Sequence, residues 1–474
     1  MTTIADPVRA VADLAGRRAL VLGLARSGVA AARFLADVGA EVTAYDRRGA
    51  DDLADAVTAL EGRSVRLALG ATPDEVAALL ADAQLVVTSP SISARFPTTD
   101  PWLRDALAAG EASGAEIVSE VELFLRLTRA RVLAVTGTKG KTTTTALIGA
   151  ILAAGEVPHA VGGNIGTPLI ERVGELSAGH WAVLELSELQ LPTIGRGAEI
   201  AVYTNIGADH LDRHGSVEAY RAVKARLAEL SVATGRVLLN ADDPGCRELG
   251  ARLPAAALSW YGVADEGRGL AASVEDGWLV VRAERVMPAG DVPLRGGHLL
   301  ADALAAALAG SLAGVPPAAV ARGIRDFPGV PHRMEAIGER GGGVRFVNDS
   351  QATIPVAAAA ALAAFSGERV ILIAGGKDKG LEYAGLAEAI VAGARAAVLI
   401  GETADELERL IAGRIPVERA ASMDEAVRAA AAIARPGDVV LLSPAAASFD
   451  MFTDYAARGD AFRAAVAALP EASS

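Results

Sequence analysis

Val132-Leu-Ala-Val-Thr-Gly-Thr-Lys-Gly-Lys-Thr-Thr-Thr-Thr145 is the stretch from which the fold can be inferred. An apolar, β-branched run ends in Thr-Gly, two glycines bracket Thr-Lys, and Lys141 opens an alanine-rich helical segment. A strand, a glycine loop and a helix start in this order predict a phosphate site, because glycines let backbone N–H groups turn inward and the helix N-terminus adds partial positive charge. Lys141 is expected to reach the terminal phosphates, and the Thr142 hydroxyl is expected to hold Mg²⁺.

The spacing of this loop differs from that of the general P-loop, since Val135 stands where a glycine is expected before Gly140. The alternative interpretation is an ordinary strand–turn–helix connection that binds nothing. Because Gly-Lys-Thr lies directly at a helix start, the sequence favours ATP as the ligand.

Composition and length exclude several classes of protein. At 474 residues the chain is too long for one hydrophobic core, and about two to four domains are expected. The net charge of −13 argues against a general nucleic-acid binder. Cys246 is the only cysteine, so a disulfide within the chain is impossible and a reducing cytoplasm is expected.

No segment of the sequence is typical of a membrane anchor. The start of the chain has no signal-peptide apolar region, and the longest uncharged windows, 303–321 and 350–367, contain proline, glycine or polar residues. We therefore expect a cytoplasmic protein that does not insert into membranes, and we take a monomer as the expectation.

The first part of the chain has the pattern of a nucleotide-binding βαβ unit. Residues 18–23 predict a buried strand, a helical segment follows, and residues 41–45 predict a second strand that ends at Asp46. Alone, this pattern also suits an NAD-dependent dehydrogenase, with Asp46 on a ribose hydroxyl, although Ala25 replaces the middle glycine of Gly-x-Gly-x-x-Gly. The competing interpretation is that the loop holds a different diphosphate. Residues 85–88 predict a third strand.

Two polar residues stand out after the phosphate loop. Asn164, in the glycine-rich stretch 161–166, either approaches a substrate or belongs to a plain turn. Glu185 is the one carboxylate of a buried strand at residues 181–187. Burying a lone acid is costly, so it is either a satisfied structural acid or bound to a cation, and a phosphate loop in the same sheet favours Mg²⁺.

The next strand comprises residues 200–205, and the loop at its carboxyl end contains Asp209, His210 and Asp212. Open α/β sheets bind ligands at the carboxyl ends of their strands. Ser216 is predicted to cap a helix that continues to about residue 230. On pattern alone, Lys224 of this helix is a surface base.

The last part of the chain predicts another doubly wound sheet. Strands are expected at residues 344–347, 370–373, 397–400 and 439–442, in alternation with helical segments. Polar clusters follow three of them, at 348–353, 375–379 and 443–448. Each could be a solvated loop, but three together at strand ends suggest one rim that faces a cleft.

The shortened Gly-Thr-x-Gly-Lys-Thr loop resembles that of the Mur ligase family, which makes ATP-driven amide bonds in cell-wall synthesis. Other family motifs are Asp209-His-x-Asp, Asn240-x-Asp-Asp and Asn348-Asp-Ser-x-x-Thr, and the resemblance runs from about residue 19 to residue 462. The last motif points to the members that add D-glutamate to UDP-N-acetylmuramoyl-L-alanine. The resemblance implies three α/β domains, each on a mainly parallel sheet.

These three domains are expected at residues 1–119, 120–330 and 331–474. The first is Rossmann-like and binds the UDP substrate, the second resembles P-loop ATPases and binds ATP, and the third is Rossmann-like and binds glutamate. The partners implied are therefore UDP-N-acetylmuramoyl-L-alanine, glutamate and ATP.

The resemblance also assigns roles to individual residues. It implies catalytic roles for Lys141, Glu185, His210 and Lys224. It places ATP at Gly137, Thr138, Lys139, Gly140, Lys141, Thr142, Thr143, Asp302, Arg333 and Asp349. It places the UDP substrate at Arg26, Ser27, Gly28, Asp46, Arg48, Ser89, Asn164 and Gln190. It places glutamate at Thr353, Lys377, Ser448, Phe449 and Tyr455. It implies two Mg²⁺ ions, held by Thr142, Glu185, His210 and a carbamylated Lys224.

Several positions depart from the family pattern, namely Ser91, Glu188, Leu189, Leu299, Asp302 and Gln351. Asp302 can accept a hydrogen bond from the adenine amino group but cannot donate one. Gln351 replaces a lysine and removes one positive charge. By contrast, Lys377 can pair with a side-chain carboxylate, which fits glutamate better than an uncharged amino acid.

Four alternatives remain from the sequence. Two are relatives: another Mur-family ligase, specific for a different amino acid or for L-glutamate, and a folylpolyglutamate synthase. Two come from other classes: an NAD-binding oxidoreductase and a catalytically silent nucleotide-binding scaffold.

Overall fold

The computed structural model describes residues 7–94, 96, 98–207, 214, 216–265, 267–293, 297–340 and 342–470. The chain divides into two compact units, of which the first ends at Phe327 and the second begins at Pro328. The described residues form three β-sheets, two in the first unit and one in the second. The expected α/β architecture with three mainly parallel sheets is confirmed.

The first sheet contains five strands, all parallel in the described part of the chain, in the order β3-β2-β1-β4-β5. Its strands are β1 (Arg18–Leu22), β2 (Glu41–Asp46), β3 (Val65–Leu69), β4 (Leu85–Thr88) and β5 (Glu116–Ser119). Its helices are Pro7–Ala12, Arg26–Asp37, Ala54–Leu60, Pro73–Asp82 and Pro101–Ala112. The strand order reverses at β1, and this is where open sheets of this kind bind ligands. The prediction that residues 85–88 are the third strand is wrong, because β3 precedes them.

The second sheet has nine described strands in the order β14-β13-β12-β11-β10-β9-β6-β8-β7. They are β6 (Arg131–Thr136), β7 (His159–Gly163), β8 (Trp181–Glu185), β9 (Ile200–Tyr203), β10 (Arg236–Asn240), β11 (Leu258–Ala264), β12 (Ala272–Glu275), β13 (Trp278–Val281) and β14 (Glu284–Pro288). The helices are Glu120–Leu127, Lys141–Ala154, Val217–Ser231, Pro244–Gly250, Gly297–Leu312 and Pro317–Arg325. The described pairs are parallel as far as β12, and β13 and β14 are antiparallel additions.

The sheet of the second unit has six described strands in the order β15-β16-β20-β17-β18-β19. They are β15 (Glu335–Arg340), β16 (Val344–Asn348), β17 (Val370–Gly375), β18 (Ala394–Ile400), β19 (Val417–Arg419) and β20 (Val439–Leu442). The helices are Pro355–Ala364, Ala384–Gly393, Ala404–Ile411, Met423–Ile433 and Tyr455–Ala467. Only β15, among the strands described here, runs antiparallel to its neighbour. The four strands predicted from sequence are present, and β15 and β19 were missed.

The central strands are buried on both faces, which explains their nearly continuous apolar sequences. The helices are rich in alanine and glycine and so pack closely on these sheets. At Gly28, an added Cβ would lie 1.8 Å from the carbonyl oxygen of Gly23, so a larger residue would push the helix Arg26–Asp37 away from its strand. Within the described residues, every helix is too short or too polar to cross a membrane.

Candidate active site

The phosphate loop joins β6 to the helix Lys141–Ala154 through two glycines that no other residue could replace. Gly137 has a φ of 153° and Gly140 a φ of 82°. An added Cβ on Gly137 would lie 1.9 Å from Thr204 Oγ1, and one on Gly140 would lie 2.5 Å from Asp302 Oδ1. Both the backbone conformation and the close neighbours therefore require glycine.

The end of β9 holds the backbone of this loop in place. The N–H of Thr138 donates to the carbonyl of Asn205 at 2.9 Å, and the N–H of Lys139 donates to Asn205 Oδ1 at 2.9 Å. Thr204 Oγ1 donates to the carbonyl of Lys139 at 2.5 Å. The sequence analysis did not identify Thr204 and Asn205, although their place directly after a strand of the same sheet was a usable signal.

Lys141 lies at the first helical position and folds back over the loop, where its Nζ donates to the carbonyl of Thr138 at 2.9 Å. Gly140 caps the helix without a side-chain hydrogen bond, and Thr142 and Thr143 follow in the first turn. The first N–H groups of a helix have no partner within the helix, so they face the loop and can bind an anion. The structure thus brings the predicted residues 137–143 together.

Glu185 lies at the end of β8, opposite Val135 of β6, and so next to the start of the phosphate loop. It is 1% exposed, and Asn164 Nδ2 donates to its Oε1 at 2.7 Å. Its other oxygen, Oε2, is buried and has no hydrogen-bond partner among the described residues. A buried carboxylate oxygen in this condition fits a cation, so the donor set agrees with Mg²⁺ at this edge.

Lys224 is fully buried in the helix Val217–Ser231, which Ser216 caps as predicted. Its Nζ donates to the carbonyl of Gly137 at 2.9 Å and to Thr136 Oγ1 at 3.2 Å. The interpretation as a surface base, made from the pattern alone, is therefore wrong. The helix places this side chain under the phosphate loop.

The other predicted residues of this region do not all lie at the phosphate loop. Asp209, His210 and Asp212 lie outside the described residues. The carboxylate of Asp302 is buried against Gly140, at the end of the phosphate loop. Of the Asn240-x-Asp-Asp motif, Asn240 Nδ2 donates to the carbonyl of Thr204 at 2.9 Å and so supports β9.

At the switch point of the first sheet, the buried Asp46 accepts hydrogen bonds from the N–H of Leu24 at 2.8 Å and from the Arg48 side chain at 3.0 Å. Burial alone would raise the pKa of Asp46, but the hydrogen bonds from Arg48 and Leu24 outweigh it and hold the pKa below its usual value. Asp46 and Arg48 line a cavity of about 450 Å³ together with Ser89 and Leu189. This volume lies within the range of small-molecule binding sites.

A second cavity, of about 860 Å³, lies between the first two sheets and is lined by Arg26, Arg33, Arg48, Gly166 and other residues. Arg26 Nη1 donates across it to the carbonyl of Gly166 at 3.1 Å. Ser27 and Gly28 lie at the same helix start, whose cap Ala25 offers no side-chain hydrogen bond. Asp51, Asp52 and Asp55 also line the cavity, and Arg33 is paired with Glu171 at 3.0 Å. The part of the cavity suited to an anion is therefore the helix start, beside Arg26.

Gln190, which is predicted to contact the UDP substrate, forms hydrogen bonds with Ser187. Its Oε1 accepts hydrogen bonds from the N–H of Ser187 at 2.9 Å and from Ser187 Oγ at 3.1 Å, and the residue is 2% exposed. The neighbouring Leu189, one of the departures from the family pattern, lines the 450 Å³ cavity.

In the second unit, Asp349 follows β16 and is buried. Burial raises its pKa to about 6, although hydrogen bonds from Ser443 Oγ at 2.9 Å and from the N–H of Met334 at 3.2 Å act in the opposite direction. Arg333 is exposed nearby in the chain, and Thr353 is half-buried. Asp349 therefore joins the loops after β16 and β20 in this unit.

The residues that are predicted to bind glutamate differ in their surroundings. Lys377, directly after the glycines that end β17, is paired with Glu402 at 2.7 Å between Nζ and Oε1. Ser448 is buried, while Phe449 is 69% and Tyr455 is 40% exposed. Both rings are therefore accessible to a ligand.

Arg458 supports the loops that follow β16 and β20, and the sequence analysis did not identify it. It is fully buried and donates to the carbonyl and Oγ of Ser350 and to the carbonyls of Ala446 and Ala447, at 2.9 to 3.1 Å. Burial lowers the pKa of its guanidinium to about 10. It therefore ties the polar clusters at 348–353 and 443–448 to each other.

Family models match most of the chain. "Mur ligase MurD-like, N-terminal domain" matches residues 17–118, "Mur ligase middle domain" matches 135–310, and "Mur ligase, glutamate ligase domain" matches 332–446.

Curated relatives match nearly the whole chain. The UDP-N-acetylmuramoylalanine--D-glutamate ligase of Anaeromyxobacter dehalogenans is 42% identical over 475 residues, which cover 96% of this chain and 98% of the relative. The protein of the same name from Solibacter usitatus is 41% identical over 460 residues, or 96% of this chain and 99% of the relative.

Solved structures share the fold. A UDP-N-acetylmuramate-alanine ligase from Thermotoga maritima has a TM-score of 0.59 at 17% identity and covers 94% of this chain and 98% of its own. A UDP-N-acetylmuramoyl-L-alanyl-D-glutamate--2,6-diaminopimelate ligase has a TM-score of 0.56 at 22% identity and covers 81% of this chain and 92% of its own.

Proposed function

The chain belongs to the Mur ligase family, among the UDP-N-acetylmuramoylalanine--D-glutamate ligases, and we propose that it joins D-glutamate to UDP-N-acetylmuramoyl-L-alanine in an ATP-driven step of peptidoglycan precursor synthesis. The observation that carries the proposal beyond family membership is the position of Glu185. Its unpartnered buried oxygen lies next to a phosphate loop whose helix start is open to an anion.

The reaction proceeds in two steps. The carboxylate of the alanyl group attacks the terminal phosphorus of ATP, so that a C–O–P bond forms and ADP leaves. The amine of glutamate then attacks the acyl phosphate carbon; a C–N bond forms, the C–O bond to phosphate breaks, and the amine loses a proton. Lys141 and the N–H groups at the helix start stabilise the charge that moves between the phosphate oxygens.

We propose that Glu185, Thr142, His210 and Lys224 hold two Mg²⁺ ions. When bound, Mg²⁺ supplies positive charge that lowers the repulsion between ATP and the carboxylate. Lys224, which is fully buried beside the loop, is proposed to contribute as a carbamate, formed when its neutral amine adds CO₂ to give a carboxylate. Its position within 2.9 Å of the carbonyl of Gly137 supports a role at the phosphates.

The UDP substrate is proposed to lie in the first unit. Its uridine occupies the cavity lined by Asp46, Arg48 and Ser89, and its diphosphate lies at Arg26, Ser27 and Gly28. Asn164, two residues before Gly166 at the wall of the 860 Å³ cavity, and Gln190 are the proposed contacts beyond the diphosphate.

ATP is further proposed to contact Asp302, Arg333 and Asp349. Glutamate is proposed to bind in the second unit, at Thr353, Lys377, Ser448, Phe449 and Tyr455. We also propose domain boundaries at 119/120 and 330/331, a cytoplasmic location and a monomer.

Phosphate release from ATP tests the function directly. With UDP-N-acetylmuramoyl-L-alanine present, D-glutamate should start turnover, and L-glutamate should not. Turnover with L-glutamate or with another amino acid would assign a different ligase. Binding of NAD without binding of UDP would favour the oxidoreductase. Binding of a nucleotide without turnover of any of these substrates would indicate the catalytically silent nucleotide-binding scaffold.

A further inference from the structure

Tyr203, the last residue of β9, contacts the backbone of Lys224 through its side-chain hydroxyl. Tyr203 Oη donates to the carbonyl of Lys224 at 2.6 Å and accepts from the N–H of Ala228 at 2.9 Å. In a regular helix these two backbone groups pair with each other, because each N–H donates to the carbonyl four residues earlier. The hydroxyl therefore bridges the helix Val217–Ser231 at the residue that carries a proposed magnesium ligand.

The hydroxyl of Tyr203 is itself held in a fixed position. Tyr203 is fully buried, and its strand lies between β6 and β10 in the second sheet. Its carbonyl accepts from Tyr261 Oη at 2.8 Å. Burial raises the pKa of Tyr203 far above its usual value, so the hydroxyl keeps its proton and can donate to the carbonyl of Lys224. The helix is thus attached to a central strand of the sheet.

The amine of Lys224 contacts the strand that pairs with β9. Lys224 Nζ donates to Thr136 Oγ1 at 3.2 Å and to the carbonyl of Gly137 at 2.9 Å. Thr136 lies opposite Tyr203 in the parallel pair of β6 and β9. Thr136 Oγ1 also donates to the carbonyl of Leu186 at 2.8 Å, so it acts as an acceptor toward Lys224. Two paired residues therefore hold Lys224, one at its backbone and the other at its amine.

A fixed backbone matters more for lysine than for a short side chain. Lysine carries its terminal group on a flexible four-carbon stem, so a small shift of the helix changes the position of that group. A displacement of about 1 Å at a reacting centre can lower a rate by about 10²-fold. The bridge from Tyr203 to the helix opposes such a shift at the residue where it would have the largest effect.

We propose that Tyr203 is a positioning residue that holds Lys224 beside the phosphate loop, where its terminal group can bind Mg²⁺. This inference rests on the proposed function, since it takes Lys224 as a magnesium ligand. Because Tyr203 is fully buried, it acts on the site through its contacts with the helix.

The test replaces Tyr203 with phenylalanine, which removes only the hydroxyl. The carbonyl of Lys224 and the N–H of Ala228 can then pair with each other, so we expect the variant to fold. The Mg²⁺ concentration that gives half-maximal D-glutamate-dependent phosphate release should rise about tenfold, which is the scale for losing a contact that supports a metal ligand. The KM for the UDP substrate should stay unchanged. The carbamate of Lys224, followed without turnover by NMR in isotopically labelled bicarbonate, should fall in occupancy.

Tyr261→Phe is the matched control. It removes an equally buried hydroxyl, whose described hydrogen bond goes to the carbonyl of Tyr203 rather than to the helix. The Mg²⁺ requirement and the carbamate signal of this variant should match those of the unchanged chain.

A lower thermal midpoint of Tyr203→Phe with an unchanged Mg²⁺ requirement and carbamate signal would overturn the proposal, because Tyr203 would then only stabilise the core. Equal effects in Tyr261→Phe would also overturn it, because general loosening of β9 would explain them. A structure of Tyr203→Phe supplies an independent readout: Lys224 Nζ should have left the carbonyl of Gly137, and an unmoved side chain would refute the positioning. If the unchanged chain does not use D-glutamate, or if Lys224→Arg is fully active, the proposed function or its carbamate has failed instead.

Discussion

Glu120 is a buried acid at the junction of the first two sheets, and replacing it with glutamine should stabilise the protein. It opens the helix Glu120–Leu127 and is 2% exposed. Its Oε2 has no hydrogen-bond partner among the described residues. Burial raises its pKa to about 7, the N–H of Ile170 lowers it by donating a hydrogen bond, and the charge of Glu171 raises it further. The charged form is therefore disfavoured in the folded state.

The sign of the pH effect follows from this shift. The pKa in the folded chain, about 7, lies above the ordinary value of 4.5, so the folded state binds more protons between these two pH values. Stability therefore falls as the pH rises through this window and levels off above it. Linkage gives a cost of about 1.4 kcal/mol at pH 5.5 and about 3.3 kcal/mol at pH 8.

Glu120→Gln removes this cost while it keeps the shape of the side chain. The amide oxygen can still accept from the N–H of Ile170, and the negative charge of Glu171 favours a neutral side chain at this position. The loss of an acidic group at a helix N-terminus offsets about 0.3–1 kcal/mol of the gain. We expect a net stabilisation of about 2–3 kcal/mol at pH 8, where the carboxyl is charged, and of about 1.4 kcal/mol at pH 5.5, where it is protonated and has no charge to lose.

Urea unfolding of both chains at the two pH values measures this difference. Glu122→Gln is the control from the same helix, since the Glu122 carboxylate accepts from the N–H of Gly195 at 2.7 Å and from Arg126 Nε at 2.6 Å. That variant loses charge-assisted hydrogen bonds and should be destabilised by about 1.5–3 kcal/mol. If Glu120→Gln has the same effect at both pH values, or is destabilising at pH 8, the assignment of a raised pKa to the buried Glu120 carboxyl is refuted.

The remaining predictions concern the proposed site. Lys141→Ala should cut turnover by at least about 10²-fold and leave the thermal midpoint unchanged, because Thr204 and Asn205 hold the loop; normal turnover would remove Lys141 from the phosphate site. Asp46→Asn weakens the pair with Arg48 and should raise the KM for the UDP substrate about tenfold, with the KM for ATP unaffected; equal changes in both would place Asp46 elsewhere. Lys224 should carry the extra mass of one CO₂, and Lys224→Ala should lose most activity and regain part of it with acetate; full activity in Lys224→Arg would exclude the carbamate.

The sequence predicted those elements whose environment in the fold is visible in the local pattern of apolar and polar residues. Strands buried on both faces, such as β6 and β17, are apolar throughout, and burial is then visible in the sequence. The strand β3 is largely half-exposed and carries an arginine, so its pattern is weak. The antiparallel β12 and β13 were missed although Asp276-Gly277 between them, with φ values of 49° and 77°, is a hairpin signal.

The sequence predicted those residues of the candidate site that can be recognised by their type and by their position at the end of a strand. Burial of single polar residues is a different matter, because it depends on contacts between elements far apart in sequence. Lys224 lies under a loop formed 87 residues earlier, and Arg458 donates to Ser350, 108 residues away. No local periodicity distinguishes such residues from surface bases. Thr204 and Asn205 were missed for a related reason, since they act on the loop through tertiary hydrogen bonds.

These internal contacts also bear on how ligands bind. Arg48 is paired with Asp46, Lys377 with Glu402, and Lys141 with the carbonyl of Thr138. A ligand that binds at these positions replaces an existing partner of the side chain. The net free energy of binding is therefore smaller than that of the isolated contact, and discrimination between ligands depends on the difference between the old contact and the new one. Glu185 differs from all three, because its second oxygen is buried beside the phosphate loop with no partner among the described residues. A cation there replaces no existing contact, so its binding should stabilise this edge of the sheet. Glu185→Gln should therefore reduce the rise in thermal midpoint that Mg²⁺ causes, while binding of the UDP substrate is spared.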